Sequence, residues 1–322
     1  MKKTGTSFVK TVVRSEKTGL IIALILVIVV FSFLTDGNFI SQANIINILI
    51  ASAIVGMVVI GEGYLLITGH VDLSPGSVAA FSNVLVALLL KNGLPLAPAI
   101  LIVVATGLCI GYANSLLVNR LQLEFFIATL ATMSVFRGLA FIICNGKAIF
   151  VTNAAFLKMG SGRFLDIPIP VIIFIVSYVI FMVILDRTRF GRNVYMVGGN
   201  ATAARLAGIN AQKLRAKLYM MTSGFAALGG VIQAGRMSSG QPMASEGLEF
   251  DAVTAVVLGG VAMAGGKGSL SGALIGLFIM QGFNNGLMMV NVPSFWQTVS
   301  RGLLLIVALS FDYIRSQRQK KL

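Results

Sequence analysis

Charged residues are scarce in this chain of 322 residues: Asp, Glu, Lys and Arg make up 11% of it, whereas a soluble domain carries about 25%. Histidine occurs once, at His70, and cysteine twice, at Cys109 and Cys144, without CxxC spacing. A metal site of His and Cys and a disulfide framework therefore have no candidate residues. There is no HExxH motif either, so the sequence argues against a metal-dependent hydrolase and offers little to an enzyme.

Hydrophobic residues, by contrast, fill 57% of the sequence, in long runs broken by Gly, Pro, Asn or charge. A helix of about 20 apolar residues crosses a bilayer, so the chain has room for roughly ten spans and for no large soluble domain. We therefore predict an all-α membrane protein with one transmembrane domain over residues 20–313. The ten predicted helices cover residues 20–34, 45–68, 74–90, 96–118, 124–144, 170–185, 216–236, 250–265, 270–290 and 296–313.

Lys and Arg are distributed unevenly about these spans. If the chain starts in the cytoplasm, the predicted inner segments hold 18 of the 25 basic residues, the outer segments five and the spans two. The positive-inside rule then predicts an even number of spans and two cytoplasmic termini, with basic tails over residues 1–19 and 314–322. The net charge of +14 is scattered over span ends and tails rather than gathered on a polar domain, so it indicates membrane orientation and not nucleic-acid binding.

Three ionisable residues, Glu62, Arg137 and Arg301, lie inside predicted spans, where insertion costs about 2.5 to 3.5 kcal/mol each. Each adjoins a glycine, which lets a neighbouring helix come close. Such charges either pair within the bundle or serve transport, and we favour pairing. A proton-driven carrier more often buries several carboxylates, so one intramembrane acid disfavours secondary transport without excluding it.

Between the second and third spans, the sequence GHVDLSPGS at residues 69–77 interrupts the apolar pattern. Ser74 followed by Pro75 predicts the N-cap and the first residue of a helix. One interpretation is a well-capped turn. The other is a solute pathway or gate, because irregular backbone at membrane depth is tolerated only where protein or water covers it. The candidate pathway or gate residues are Asp72, Ser74, Gly76, Ser77 and Glu62.

Residues 187–215 form a basic, glycine-punctuated stretch between apolar runs, and the positive-inside rule places it in the cytoplasm. At its centre Asn200 predicts an N-cap, residues 201–207 favour a helix, and Gly208 suits the left-handed position that ends one. From charge alone the stretch is equally compatible with an ordinary loop and with a docking segment for a cytoplasmic partner.

Residues 260–269, GVAMAGGKGS, invite comparison with the phosphate-binding motif GxxxxGK[ST]. The match fails twice, because Val261 stands where the first glycine is required and Gly268 follows Lys267 in place of Ser or Thr. ATP binding by this route is excluded, and we predict neither a cofactor nor a metal in this chain.

Four segments together resemble the ribose-type sugar permeases of bacterial ABC importers, and the likeness covers nearly the whole chain. They are GHVDLSPGS (69–77), FIATLATMSVFRG (126–138), TRFGRNVYMVGGNATAARLAGIN (188–210) and LGGVAMAGGKGSLSGALIGLFIMQGFNNGL (258–287). His70 and Pro75 depart from the family's pattern, whereas Asp72, Leu73 and Ser74 match it.

The resemblance implies a pore of two permeases, identical or related, a pair of cytoplasmic ATPases that bind ATP and Mg²⁺, and an external solute-binding protein. It also implies ten spans with internal inverted repeats, which the predicted span count permits, in the cytoplasmic membrane of a bacterium. The family's ATPase-contacting loop maps onto residues 199–210. The residues that the resemblance assigns to ATPase coupling are Gly199, Asn200, Ala204, Arg205, Gly208, Ile209 and Asn210.

We therefore interpret the sequence as a permease subunit that conducts a monosaccharide inward, a ribose-like pentose or a related sugar or polyol, and performs no chemistry itself. The alternative is a self-sufficient secondary carrier or facilitator of small polar solutes, which would take up sugar without ATP. A membrane scaffold without a path is a third interpretation, and it would show no flux with any partner.

Overall fold

A computed structural model describes the backbone of residues 16–320 and the side chains of residues 18–313. Residues 1–15 and 321–322, and with them most of the predicted tail 1–19, lie outside the described residues. The described chain is almost entirely helical, as predicted. Its helices are α1 Glu16–Leu34, α2 Gln42–Ile67, α3 Pro75–Lys91, α4 Leu96–Asn119, α5 Phe125–Ile143, α6 Ala154–Ser161, α7 Ile169–Arg187, α8 Arg189–Gly199, α9 Ala201–Leu206, α10 Ala211–Met237, α11 Leu248–Leu258, α12 Leu270–Met289 and α13 Ser294–Lys320.

Short antiparallel pairs and a 3₁₀ turn complete the described secondary structure. Strand β1 (Ile149–Phe150) pairs with β4 (Ser239–Gly240), so that Ile149 faces Gly240. Strands β2 (Arg163–Phe164) and β3 (Ile167–Pro168) form a separate hairpin, and the 3₁₀ turn Asn38–Ile40 joins α1 to α2. These pairs tie together connections between helices and leave the molecule all-α in class.

Five described helices are long and apolar enough to cross a membrane: α2, α4, α5, α7 and the Ser294–Tyr313 part of α13. Two shorter apolar helices, Thr18–Leu34 and Pro75–Lys91, add to them. Each of the ten predicted runs contains one helix, and α13 continues past the predicted boundary at residue 313 to Lys320. The protein is thus a multi-pass membrane bundle in which some helices are shorter than a full span.

The predicted helix at 250–265 is wrong in length. Helix α11 ends at Leu258, so it has 11 residues and extends about 16 Å, against a hydrocarbon core of about 30 Å. The chain then runs without helix to Ser269, with positive φ at Gly260, Gly265, Gly266 and Gly268. These glycines adopt backbone conformations outside the helical region, although the sequence around them stays apolar.

Helices α2 and α10 form the centre of the bundle. Every residue of α2 from Ser52 onward is buried, as expected of a helix surrounded by others on all sides. Close approach depends on small residues: a Cβ at Gly61 would overlap the backbone of Thr222 on α10. The two helices are therefore in direct backbone contact.

The remaining long helices pack around this pair in two matching sets. Helices α3 and α4 lie against α10, whereas α11 and α12 lie against α2. Helix α5 packs on α3, and α13 packs on α11 in the same way. The second to fifth predicted spans thus repeat their packing in the seventh to tenth.

Candidate functional site

The break between α2 and α3 is built around a buried carboxylate. Asp72 is 0% exposed, and its Oδ1 accepts hydrogen bonds from the backbone N–H of Ser74 at 2.8 Å and from the Ser74 hydroxyl at 2.7 Å. Asn114 of α4 donates from Nδ2 to the Ser74 hydroxyl at 2.9 Å and to Asp72 Oδ2 at 3.3 Å. We call Asp72, Ser74 and Asn114 the Asp72 cluster. It fixes the irregular segment to α4.

The predicted side-chain cap at Ser74 is wrong, although its position is right. Pro75 is the first helical residue, as predicted, but the Ser74 hydroxyl makes no hydrogen bond to the first turn. A capping hydroxyl accepts from a backbone N–H, whereas this one accepts from Asn114 Nδ2 and donates to the Asp72 carboxylate.

Two further polar groups lie near this cluster, the buried Glu62 and the half-buried His70. Glu62 of α2 is 0% exposed, and neither carboxyl oxygen has a hydrogen bond of good geometry among the described residues. Its charged neighbour is Asp72 and not a base, so the pairing that we favoured for Glu62 is not seen. His70 stacks on Phe125, with ring centroids 5.0 Å apart, and its Nδ1 lies 3.2 Å from the Tyr219 hydroxyl.

A cavity of about 820 Å³ opens between α3, α5, α11 and α13, and we call it the arginine cavity. Arg137 of α5 donates from one guanidinium nitrogen to the carbonyls of Pro242 and Ala244, at 3.0 and 2.9 Å. Arg301 of α13 lies 3.8 Å from the Asp251 carboxylate. The lining residues are Ser77, Met133, Ser134, Arg137, Glu246, Gly247, Glu249, Phe250, Thr298, Arg301, Gly302 and Leu305.

One of the five predicted pathway residues, Ser77, lines the arginine cavity. Gly76 lies beside it, where a Cβ would overlap the Glu249 carboxylate, so this glycine lets Glu249 approach α3. Asp72, Ser74 and Glu62 are fully buried and do not line the cavity. The structure thus separates the predicted set into a buried cluster and a cavity wall.

Sequence reasoning missed the acids of this wall. Asp251 falls inside the predicted span 250–265 and Glu249 one residue before it, yet neither was counted with Glu62, Arg137 and Arg301. The signal was present in the sequence GLEFDAV, two acids in an apolar context. It was obscured because the predicted boundary fell between them.

The predicted ATPase-coupling stretch forms two short helices followed by α10. Asn200 caps α9, its Oδ1 accepting from the N–H groups of Thr202 and Ala203 at 3.0 Å each. Gly208 has φ +81° and Asn210 caps α10. The predicted helix over 201–207 is confirmed to within one residue. Most of the predicted coupling residues are exposed, whereas Ala204 is buried and Ile209 half-buried.

Helix α8 was not predicted. It is amphipathic, with Phe190, Val194 and Val197 against the core, and it begins where the Thr188 hydroxyl accepts from the Gly191 N–H at 3.3 Å. The spacing of four and then three residues is a helical signal. The many basic and glycine residues of the segment masked it.

Helix α8 ends in close contact with the end of α2 and with the segment that follows α11. We call this contact the glycine joint, and its glycines are Gly198, Gly199, Gly265, Gly266 and Gly268. The Gly266 N–H donates to the carbonyl of Ile67 at 2.8 Å, and a Cβ at Gly198 would overlap that same oxygen. Tyr195 donates to the Gly268 carbonyl at 2.9 Å. Burial, with the Asp186 carboxylate, raises the pKa of Tyr195 to about 12, so the phenol keeps its proton. The joint links the coupling stretch to the end of α2.

These features are those of a multi-pass membrane permease whose polar segments on one side join directly to its central helices. Residues 44–309 match the family described as the branched-chain amino acid transport system / permease component, and the chain belongs to this family. No solved structure matches the chain.

Curated relatives extend over nearly the full chain. The ribose import permease protein RbsC of Bacillus subtilis (strain 168) is 38% identical to it over 94% of each chain. The L-arabinose ABC transporter permease protein AraH of Azospirillum brasilense is 36% identical, over 94% of this chain and 90% of the relative. RbsC of Escherichia coli (strain K12) is 35% identical over 95% of each chain. The resemblance to ribose-type sugar ABC permeases is confirmed, and the family is a transport family, not an enzyme family.

Proposed function

We propose that this chain is the membrane-spanning subunit of a bacterial ABC importer that moves a ribose-like monosaccharide or a related polyol inward across the cytoplasmic membrane. A separate cytoplasmic ATPase, which binds ATP and Mg²⁺, drives it through residues 199–210. An external solute-binding protein delivers the sugar. The names of two relatives, a ribose and an arabinose permease, support a pentose as the substrate.

The observation that carries the proposal is the form of the coupling stretch. Helix α9 is held at both ends, by the Asn200 cap and by Gly208 at positive φ, yet it presents Leu206 at 83% exposure. A single exposed leucine is common on protein surfaces, but this one lies on a helix fixed at both ends, within the stretch that the resemblance assigns to ATPase contact, and we therefore take it as a contact residue. Through α8 and the glycine joint, a push on α9 would reach the end of α2.

The matched packing of the two helix sets supports inverted repeats, since sets offset by five spans have opposite orientation. With ten crossings both termini are cytoplasmic, as the charge distribution predicts. The arginine cavity lies beside α5 and α13, whose other side chains are largely exposed and apolar. Because charged groups at membrane depth do not face lipid, a second permease, identical or related, covers this side.

Leu206→Asp tests the coupling surface. We expect it to abolish capture of the ATPase subunit and ATP-dependent sugar uptake, because it places a charge in an apolar contact. Leu165→Asp is the matched control, since Leu165 is 81% exposed in the turn between β2 and β3. Capture and uptake unchanged by Leu206→Asp would refute the coupling assignment. Sugar uptake by this chain alone, without ATP, would favour the secondary carrier.

A further inference from the structure

The arginine cavity contains buried polar atoms that the protein leaves without partners. Ser77 is 0% and Glu249 4% exposed, and within the described residues neither the Ser77 hydroxyl nor Glu249 Oε2 makes a hydrogen bond. The same holds for Nε of Arg301. Buried polar groups are seldom left unpaired, because each costs about 1–3 kcal/mol. Three groups with unpaired atoms meet around this one cavity, where a bound molecule would complete their hydrogen bonds.

The two arginines of the cavity differ in how far other protein groups occupy their N–H donors. Nη1 of Arg137 donates to the carbonyls of Pro242 and Ala244, so this arginine holds the segment that leads into α11. Arg301 has only a loose 3.8 Å contact with Asp251. Arg301 is therefore the arginine that is free to donate into the cavity.

The lining also limits the chemistry of the occupant. Arg137 and Arg301 are balanced by Glu246 and Glu249, so the wall carries no net charge. It offers both donors and acceptors, and a hydroxyl group can accept from one and donate to the other. Phe250, which is 42% exposed, gives an apolar face. A volume of about 820 Å³ falls within the 300–1,000 Å³ of ligand sites.

We propose that the arginine cavity binds a neutral polyol during its passage, with Ser77 and Arg301 donating to hydroxyl oxygens and Glu249 accepting from a hydroxyl. The inference rests on the proposed function, and it adds the residues that contact the solute. It also predicts that a phosphorylated sugar is bound more weakly, because the two carboxylates of the wall offset its two arginines and leave no net positive charge to compensate for the desolvation of a phosphate.

Binding can be measured by protection of a thiol. Ser134→Cys, in a Cys109→Ser background, places a thiol on the exposed cavity wall of α5. In proteoliposomes that contain the permease, its ATPase and its binding protein, D-ribose should slow maleimide labelling and D-ribose 5-phosphate should not. ATP-dependent D-ribose uptake is measured in parallel.

Two variants test the contacts against matched controls. Ser77→Ala should raise the protecting D-ribose concentration about 2- to 10-fold, the loss of one neutral hydrogen bond. Ser82→Ala should leave it unchanged: Ser82 lies on the same helix, is 0% exposed, also has an unpartnered hydroxyl, and does not line the cavity. Glu249→Gln should raise the protecting D-ribose concentration about tenfold, because a charged acceptor becomes a neutral amide. Arg236→Gln, an exposed arginine at the end of α10, is the charge control.

The outcomes separate the two proposals. Absence of ATP-dependent uptake of D-ribose and L-arabinose by the unaltered complex would overturn the proposed function. Uptake with no protection by either sugar, with equal protection by the phosphate, or with Ser77→Ala and Glu249→Gln indistinguishable from Ser82→Ala would overturn the cavity assignment alone.

Discussion

The glycine joint and the arginine cavity are opposites within one bundle. At the joint, backbones touch and hydrogen bonds close the contact, from the Gly266 N–H to the Ile67 carbonyl and from the Tyr195 hydroxyl to the Gly268 carbonyl. Around the cavity, Ser77, Glu249 and Arg301 have atoms without partners. Close packing transmits displacement, because such an interior deforms little. Unpaired groups are available to a bound molecule, so the two regions have the properties that the proposed coupling and the proposed passage of solute each require.

The largest effect is expected where the joint is closest. Gly198→Ala would place a Cβ on the Ile67 carbonyl oxygen and 2.7 Å from the Gly266 nitrogen, so α8 must move away from α2. Because these are backbone atoms that cannot rotate aside, we expect the upper end of the usual cost of overpacking, about 3 kcal/mol or more. We expect a clear fall in melting temperature and in the abundance of the folded protein, measured by fluorescence-detected size exclusion after heating.

Gly199→Ala is the control for that measurement. The added Cβ meets no atom within 4 Å, although the residue is the next in the chain. Its melting temperature should equal that of the unaltered protein. If Gly198→Ala also leaves the melting temperature unchanged, α8 yields easily and the joint is not a rigid link.

The second prediction compares a paired with an unpaired carboxylate. Asp72→Ala leaves the Ser74 amide, the Ser74 hydroxyl and the Asn114 side chain short of an acceptor, and we expect a loss of about 2–3 kcal/mol. Glu249→Gln, which neutralises a buried carboxylate oxygen without a partner, should keep or raise the melting temperature.

Uptake per folded molecule then distinguishes the two interpretations of Asp72. If Asp72 only fixes a capped turn, sugar flux in Asp72→Asn falls in proportion to the abundance of the folded protein. If Asp72 belongs to a gate, the flux falls several-fold more than the abundance does, while the variant still captures the ATPase. Equal falls in melting temperature in Asp72→Ala and Glu249→Gln would contradict the difference expected between a paired and an unpaired carboxylate.

Whether a feature could be predicted from the sequence depends on whether its cause is local or lies in a distant segment of the chain. The ten helices and the caps at Asn200 and Gly208 follow from local signals, namely apolar run length and the preferences of single positions. The early end of α11 and the bond from Asn114, 40 positions later, to the Ser74 hydroxyl depend on neighbours in space. The cavity was missed for the same reason, since its wall joins Ser77 to residues more than 150 positions later.

A third, smaller effect is expected at Asn200, the N-cap of α9 in the proposed coupling stretch. Asn200→Ala removes the acceptor of two N–H groups and should cost about 1 kcal/mol of α9 stability. Affinity for the ATPase should fall about fivefold, as titration by surface plasmon resonance would measure. Asn200→Ser keeps a capping oxygen and should retain most of the affinity. Equal loss in both would mean that the amide itself contacts the ATPase.

The smallest effect concerns the hydroxyl that closes the joint. Tyr195→Phe removes one hydrogen bond, to the Gly268 carbonyl, and should lower stability by about 1 kcal/mol or less, because the residue is only half-buried. The pKa of Tyr195 is raised to about 12 from an ordinary value of 10.0. The folded state thus holds the proton more tightly than the unfolded chain, so this stability is fully present below pH 10 and is lost as the pH rises through 12. The gap in melting temperature between the unaltered protein and Tyr195→Phe should be constant from pH 7 to 9 and should close between pH 10 and 12. A gap that stays constant across this range would show that the phenol does not titrate at the joint.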